Sequence, residues 1–144
     1  MYFLFLLCLL SCAKPQPPVF KNVENIQISL EGKQISLQAD ALLYNPNAQG
    51  LKLKGAQLEL WLDGEEMGKI DEVYDLSIEA ESAFKVPFAV KFPVSKLKGG
   101  FLQKALSFFG GKKNMEAEFR GFVRVKAYGM MLKIPIKAKQ KVKI

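Results

Sequence analysis

Apolar and polar residues alternate along most of this chain. Ile26, Ile28 and Leu30 alternate with Gln27 and Ser29 as far as Glu31-Gly32-Lys33, and Ile35, Leu37, Ala39 and Ala41 resume beyond it. That arrangement predicts a hairpin. Asn45-Pro46-Asn47 ends the second strand, and Gln49-Gly50 completes the loop. Leu51 and Leu53 open a further strand that Leu58, Leu60 and Leu62 continue past Gly55, where a bulge or bend is expected. Asp63-Gly64 is a turn dipeptide, and Met67 to Ile70 reads as a short returning strand. The clearest alternation is Phe84, Val86, Phe88, Val90 and Phe92. Pro87 lies within it and has no N–H, so this strand belongs at an edge or turns that position outward. Two strands close the chain, Met115 to Tyr128 and Met131 to Ile144.

One segment breaks the period of two. Ser95 is a candidate N-cap, and Leu97, Phe101, Leu102, Ala105 and Leu106 follow at spacings that share one helix face. Gly99 and Gly100 each cost such a helix about 1 kcal/mol relative to Ala, and Gly110-Gly111 supplies a stop. The sum is about seven strands and one helix near residues 95–109. It predicts a small antiparallel β-sandwich of the immunoglobulin or fibronectin III kind, with the helix closing one end or edge.

Length and composition narrow the chemistry. The 144 residues suit one domain, and 49% hydrophobic with 24% charged residues is the balance of a folded chain. There is no histidine, which excludes His-based triads, His general acids and bases, and His metal sites. The net charge of +7 is uneven: residues 1–84 hold 6 basic and 12 acidic side chains, residues 85–144 hold 15 basic and 2 acidic ones. A basic half fits an anionic partner, nucleic acid or a membrane surface. Because 19 of the 21 basic residues are Lys, and only Arg120 and Arg124 are Arg, nucleic acid is the weaker reading.

The first residues bear on location. Met1 to Leu10 is an uncharged apolar run, shorter than the ~20 residues a membrane span needs and matched in length to the apolar part of a signal peptide. Leu9-Leu10-Ser11-Cys12 resembles the bacterial lipobox. The resemblance implies that residues 1–11 are removed and that the Cys12 thiol and new amino group are acylated, leaving Cys12 as the only mature cysteine. A basic residue before the apolar run, usual in such signals, is absent. The other reading makes residues 1–12 a buried first strand. Residues 12–18, with Pro15, Pro17 and Pro18, are expected to be an extended tether that does not pack, and residues 19–144 the folded domain.

Three clusters invite a functional reading. Eight carboxylates lie between Asp63 and Glu81, but no calcium-loop pattern orders them, and a solvated hairpin tip accounts for them more simply. Lys133, Lys137, Lys139, Lys141 and Lys143 share one face of the last strand. That face could meet anionic headgroups, or it could only keep the sheet soluble and block edge pairing. Phe122 and Tyr128 share a face with Arg120, Arg124 and Lys126, a pattern that can bind single-stranded nucleic acid but is read, for an envelope protein, as a face partly covered by the helix with Arg stems packing on the rings. No metal site and no cofactor are expected.

The stretch Ala41-Leu42-Leu43-Tyr44-Asn45-Pro46-Asn47, with Leu51-Lys52-Leu53, Leu58 to Gly64 and the late Ile134-Pro135, resembles the late embryogenesis abundant type 2 family, also called the WHy domain. The resemblance implies a small β-sandwich, a link to desiccation, cold and osmotic stress, and no enzymatic activity. Asn45, Pro46 and Asn47 then form a structural corner: Pro46 holds Asn45 extended, and both Asn side chains bond nearby backbone.

Three functions compete at this stage. The first is a non-enzymatic, lipid-anchored domain that protects or maintains the bacterial envelope, expected as a monomer at the outer membrane, since Ala13 and not Asp follows Cys12. The second is an envelope binding module that carries an apolar ligand or docks a protein through a cleft under the helix. The third is an enzyme with a carboxylate pair, which needs two convergent acids in a cleft.

Overall fold

The computed structural model describes residues 15–96 and 115–142. Seven strands account for most of them: β1 (Val19–Glu31), β2 (Gln34–Asn45), β3 (Leu51–Leu62), β4 (Glu65–Ile78), β5 (Ser82–Pro93), β6 (Met115–Ala127) and β7 (Met130–Val142). They form two antiparallel sheets, one ordered β1-β2-β5 and the other β4-β3-β6-β7. In an immunoglobulin constant-type sandwich the fourth strand joins the sheet of the first. Here β4 pairs with β3 on the other sheet.

The alternation read from the sequence sets the core. Ile35, Leu37, Ala39, Ala41 and Leu43 of β2 and Val86, Phe88, Val90 and Phe92 of β5 are buried from one sheet. Leu58, Leu60, Phe119, Val123, Val125, Ile134 and Ile136 meet them from the other. Phe88 and Phe119 touch edge to face across the sandwich, with ring centroids 5.3 Å apart. The register of β3 shifts between Leu53 and Gly55 against both of its neighbours, so the expected bulge is present and buried positions change from odd to even there.

Three two-residue turns join neighbouring strands. Gly32 has φ 62° in the first, Asp63 and Gly64 have φ 44° and 86° in the second, and Tyr128 and Gly129 have φ 50° and 77° in the third. The last two have the doubly left-handed form that follows the twist of a hairpin. The connections also define two ends. The β2–β3 loop, the β4–β5 turn, the β6–β7 turn and the start of β1 lie at one, called the corner end; the other turns lie opposite.

Two expectations need correction. The acidic residues after Ile70 do not form a solvated tip but continue β4, an edge strand 14 residues long. The Pro-rich stretch does not stand clear of the domain, for Pro18 is buried and Gln16 is bonded to it. The helix expected near residues 95–109 falls, beyond Lys96, outside the described residues. At its start Val94–Lys96 is a single 3₁₀ turn, in which Val94 N–H donates to Lys33 C=O at 2.9 Å and Lys96 Nζ to Met67 C=O at 2.8 Å. Among the described residues no helix is long and apolar enough to cross a membrane.

The candidate functional site

β2 ends where its chain must cross to the other sheet, and Pro46 stops the ladder there. Asn45, whose side chain points inward at this last strand position, is fully buried. A buried amide needs partners, and it has them. Its Nδ2 donates to Gln49 C=O at 3.2 Å and to Glu79 C=O at 2.9 Å, while its Oδ1 accepts from Asn47 N–H at 3.0 Å and Asn47 Nδ2 at 2.9 Å. One side chain thus ties the β2–β3 loop to the β4–β5 turn. Asn47 C=O accepts from Glu81 N–H at 3.0 Å, a second tie to that turn.

The Asn47 side chain reaches the other way. Its Oδ1 accepts from Gln16 N–H and its Nδ2 donates to Gln16 C=O, each at 2.7 Å. The corner therefore joins four segments: the start of the domain, the end of β2, the loop and the β4–β5 turn. Apart from the bond between the two amides themselves, the hydrogen bonds of both Asn side chains go to backbone. These bonds make the corner a structural clamp.

Lys133, Lys137, Lys139 and Lys141 are exposed on the outer side of β7, and Lys143 lies outside the described residues. Lys139 approaches Glu116 at 4.0 Å, and Lys133 Nζ stands 4.7 Å from the centre of the Phe122 ring. Arg120 lies 4.4 Å over Trp61 and bonds Glu118 twice, Nε to Oε1 at 2.7 Å and Nη2 to Oε2 at 2.9 Å. Phe122 is thus covered by a cation, but by Lys133 of β7 and not by the Arg stems expected, while Arg120 covers Trp61 instead and Tyr128 is left exposed. The Arg120 hydrogen bond, working against burial, holds Glu118 below the usual carboxylate range.

The carboxylates of β4 spread along an edge without converging. Asp75 bonds Lys54 at 2.8 Å, and that bond, with the nearby Lys54 and Lys52 charges, lowers its proton affinity. Among the described residues no three acidic or cysteine side chains could hold a metal ion. Shallow concavities among the described residues include two near these acids. One of about 450 Å³ lies beside Glu59, Asp71, Arg120 and Gly121, and one of about 350 Å³ beside Asp40, Glu72 and Pro87. Cys12 lies outside the described residues.

The sequence reading missed the side chains that seal the sandwich. Tyr74 on the β4 edge points its hydroxyl at both the Glu72 carboxylate, 2.5 Å away, and the Pro87 carbonyl on the β5 edge. Burial, then the hydrogen bond and charge of Glu72, push its phenol well above the ordinary range. Along the opposite seam Gln140 Nε2 of β7 donates to Val23 C=O of β1. No sequence signal marks a cross-sheet bond of this kind.

A family model, LEA_2, described as late embryogenesis abundant protein, matches residues 40–140. No curated protein matches the chain. Solved structures that share its fold include the following three. A solution structure of an Arabidopsis thaliana protein is 17% identical at TM-score 0.61, covering 89% of this chain and 83% of that one. A crystal structure of an Archaeoglobus fulgidus protein is 12% identical at TM-score 0.57, covering 87% and 97%. An X-ray structure of a structural-genomics target is 9% identical at TM-score 0.58, covering 91% and 89%.

Proposed function

Since the chain belongs to the LEA_2 family, we propose that it is a non-enzymatic, lipid-anchored domain of the bacterial cell envelope that protects against desiccation, osmotic or cold stress. The family match over residues 40–140 carries the stress-related role. The corner supports the non-enzymatic reading, because its two buried amides are spent on holding backbone. The lipobox-like Leu9-Leu10-Ser11-Cys12 carries the anchor, with residues 1–11 removed and the mature chain held on the periplasmic side of the outer membrane. For the fold, the position of β4 beside β3 favours the fibronectin III-like variant of the sandwich over the immunoglobulin one.

The test is recovery of a labile enzyme after drying in the presence of the purified protein. A globular protein of matched size and charge serves as the control. Recovery well above the control supports direct protection. Recovery equal to it overturns that mechanism and turns attention to an apolar ligand or partner near residues 95–109. Cys12→Ser tests the anchor separately, since the variant should lose its lipid label and leave the membrane fraction.

A further inference from the structure

Exposed apolar side chains are unevenly placed on this sandwich. Among the described residues seven large hydrophobics are exposed, and all but Leu30 and Val73 lie at the corner end. Three of those five sit in four consecutive positions at the β6–β7 turn: Tyr128 is 47% exposed, Met130 51% and Met131 54%. Monomeric domains rarely group such residues without a use for them.

The chemistry of this turn is also wrong for folding alone. Asp63 and Tyr128 hold the same position in two turns of the same form, with φ 44° and 50°. Short polar residues such as Asp or Asn bear that conformation readily, whereas a bulky ring there is strained. Tyr128 gains little burial in exchange. Beside it the sheet is basic: Lys126 stands opposite Met131, Lys52 opposite Lys126, and Lys133 opposite Arg124.

We propose that the Tyr128–Met131 tip is a membrane-inserting hairpin that enters the interface of an anionic lipid bilayer, with Lys52, Lys126 and Lys133 at the headgroup phosphates. The inference rests on the lipid-anchored reading above and gives the anchored domain an orientation. An aromatic ring with a polar tip, adaptable Met side chains and a collar of Lys match the layered chemistry of that interface. Chain length agrees. Asn47 fixes Gln16 at the corner end, and only Ala13, Lys14 and Pro15 separate it from Cys12. Four residue steps span roughly 14 Å at most, so acylation at Cys12 turns the corner end toward the bilayer. The acidic β4–β5 turn, with Glu79 and Glu81, lies at the opposite edge of that end, so an anionic surface tilts the β6–β7 side down. Lys137, Lys139 and Lys141 then run along β7 away from the lipid.

The experiment places tryptophan at the tip of the full chain, purified from bacterial membranes and reconstituted in phosphatidylethanolamine–phosphatidylglycerol vesicles with brominated acyl chains. Tyr128→Trp and Met131→Trp are each made in a Trp61→Phe background, so that misfolding of one leaves the other. The parent chain, with Trp61 near the far end, is the control. Loss of most tip fluorescence, with the parent unquenched, is the expected result. The loss should fall several-fold when phosphatidylcholine replaces the anionic lipid around the non-acylated Cys12→Ser chain. Unquenched tip residues overturn the proposal, whether the chain is vesicle-bound, free, or tip-bound to another protein. Equal quenching at Trp61 overturns it too. Intact mass reports acylation of Cys12 independently, so failure of the anchor and failure of the tip are told apart.

Discussion

Asn47 meets the backbone of Gln16 as a neighbouring strand would, accepting its N–H and donating to its C=O at 2.7 Å each. Gln16 is the only residue between Pro15 and Pro18 with an N–H to give. The start of the domain is therefore fixed by one side chain, 31 positions away. Asn47→Ala should release it, at a cost of about 1–2 kcal/mol. Hydrogen exchange at the Gln16 amide should rise sharply.

Asn45 carries more. Asn45→Ala leaves two carbonyls and the Asn47 N–H without their partner, so a loss of about 3 kcal/mol in urea unfolding is expected. Asn45→Asp keeps the acceptor but aims a buried charge at two carbonyl oxygens. It should be at least as damaging at neutral pH and recover in part on acidification.

Gly121 has φ 154°, and a Cβ there would lie 2.0 Å from Gln57 C=O and 2.8 Å from Leu58 Cα. These are backbone atoms of β3, which no rotamer change can move. Gly121→Ala should cost on the order of 3 kcal/mol or more, read as a fall in thermal midpoint.

Much of this was legible in the sequence. The phase change at Gly55, the edge position of Pro87 and the Asx bonding of the corner follow from local rules. The unread parts have a physical cause. Asn25 has φ 55° inside a register shift of β1, so Val23 is buried while Ile26 and Ile28 are only partly so, and the period of two is hidden there. β4 was obscured because an edge strand tolerates Asp71, Glu72 and Asp75, and its buried residues Met67, Ile70 and Ile78 are unevenly spaced. Tyr74 and Gln140 act across sheets, a relation that only the packed fold creates.

Tyr74 gives an alkaline prediction. Its folded-state proton affinity is raised, so its contribution is complete below the unfolded value of 10.0 and is lost as pH rises above it. Stability should therefore fall steadily above that pH. Tyr74→Phe should flatten this slope, while lowering neutral-pH stability by about 1 kcal/mol through the lost Pro87 bond.

Acid acts through the opposite sign. Asp75 and Glu118 are both held below the ordinary carboxyl values of 3.8 and 4.5, so their contributions are present above those values and lost as pH falls through the lower folded ones. Glu118→Gln should remove part of the acid-side decline in an unfolding series measured against pH.

Pro87 has a consequence of another kind. In an antiparallel strand the N–H and C=O of one residue point to the same side, and the Pro87 carbonyl faces Tyr74, away from β2. The missing N–H therefore costs the sheet nothing and removes a donor from its rim. Pro135 interrupts β7, the outer strand of the other sheet. When copies are forced together, a strand arriving along β5 or β7 meets a ladder interrupted by proline. Two of the four sheet edges are thereby guarded against pairing between copies.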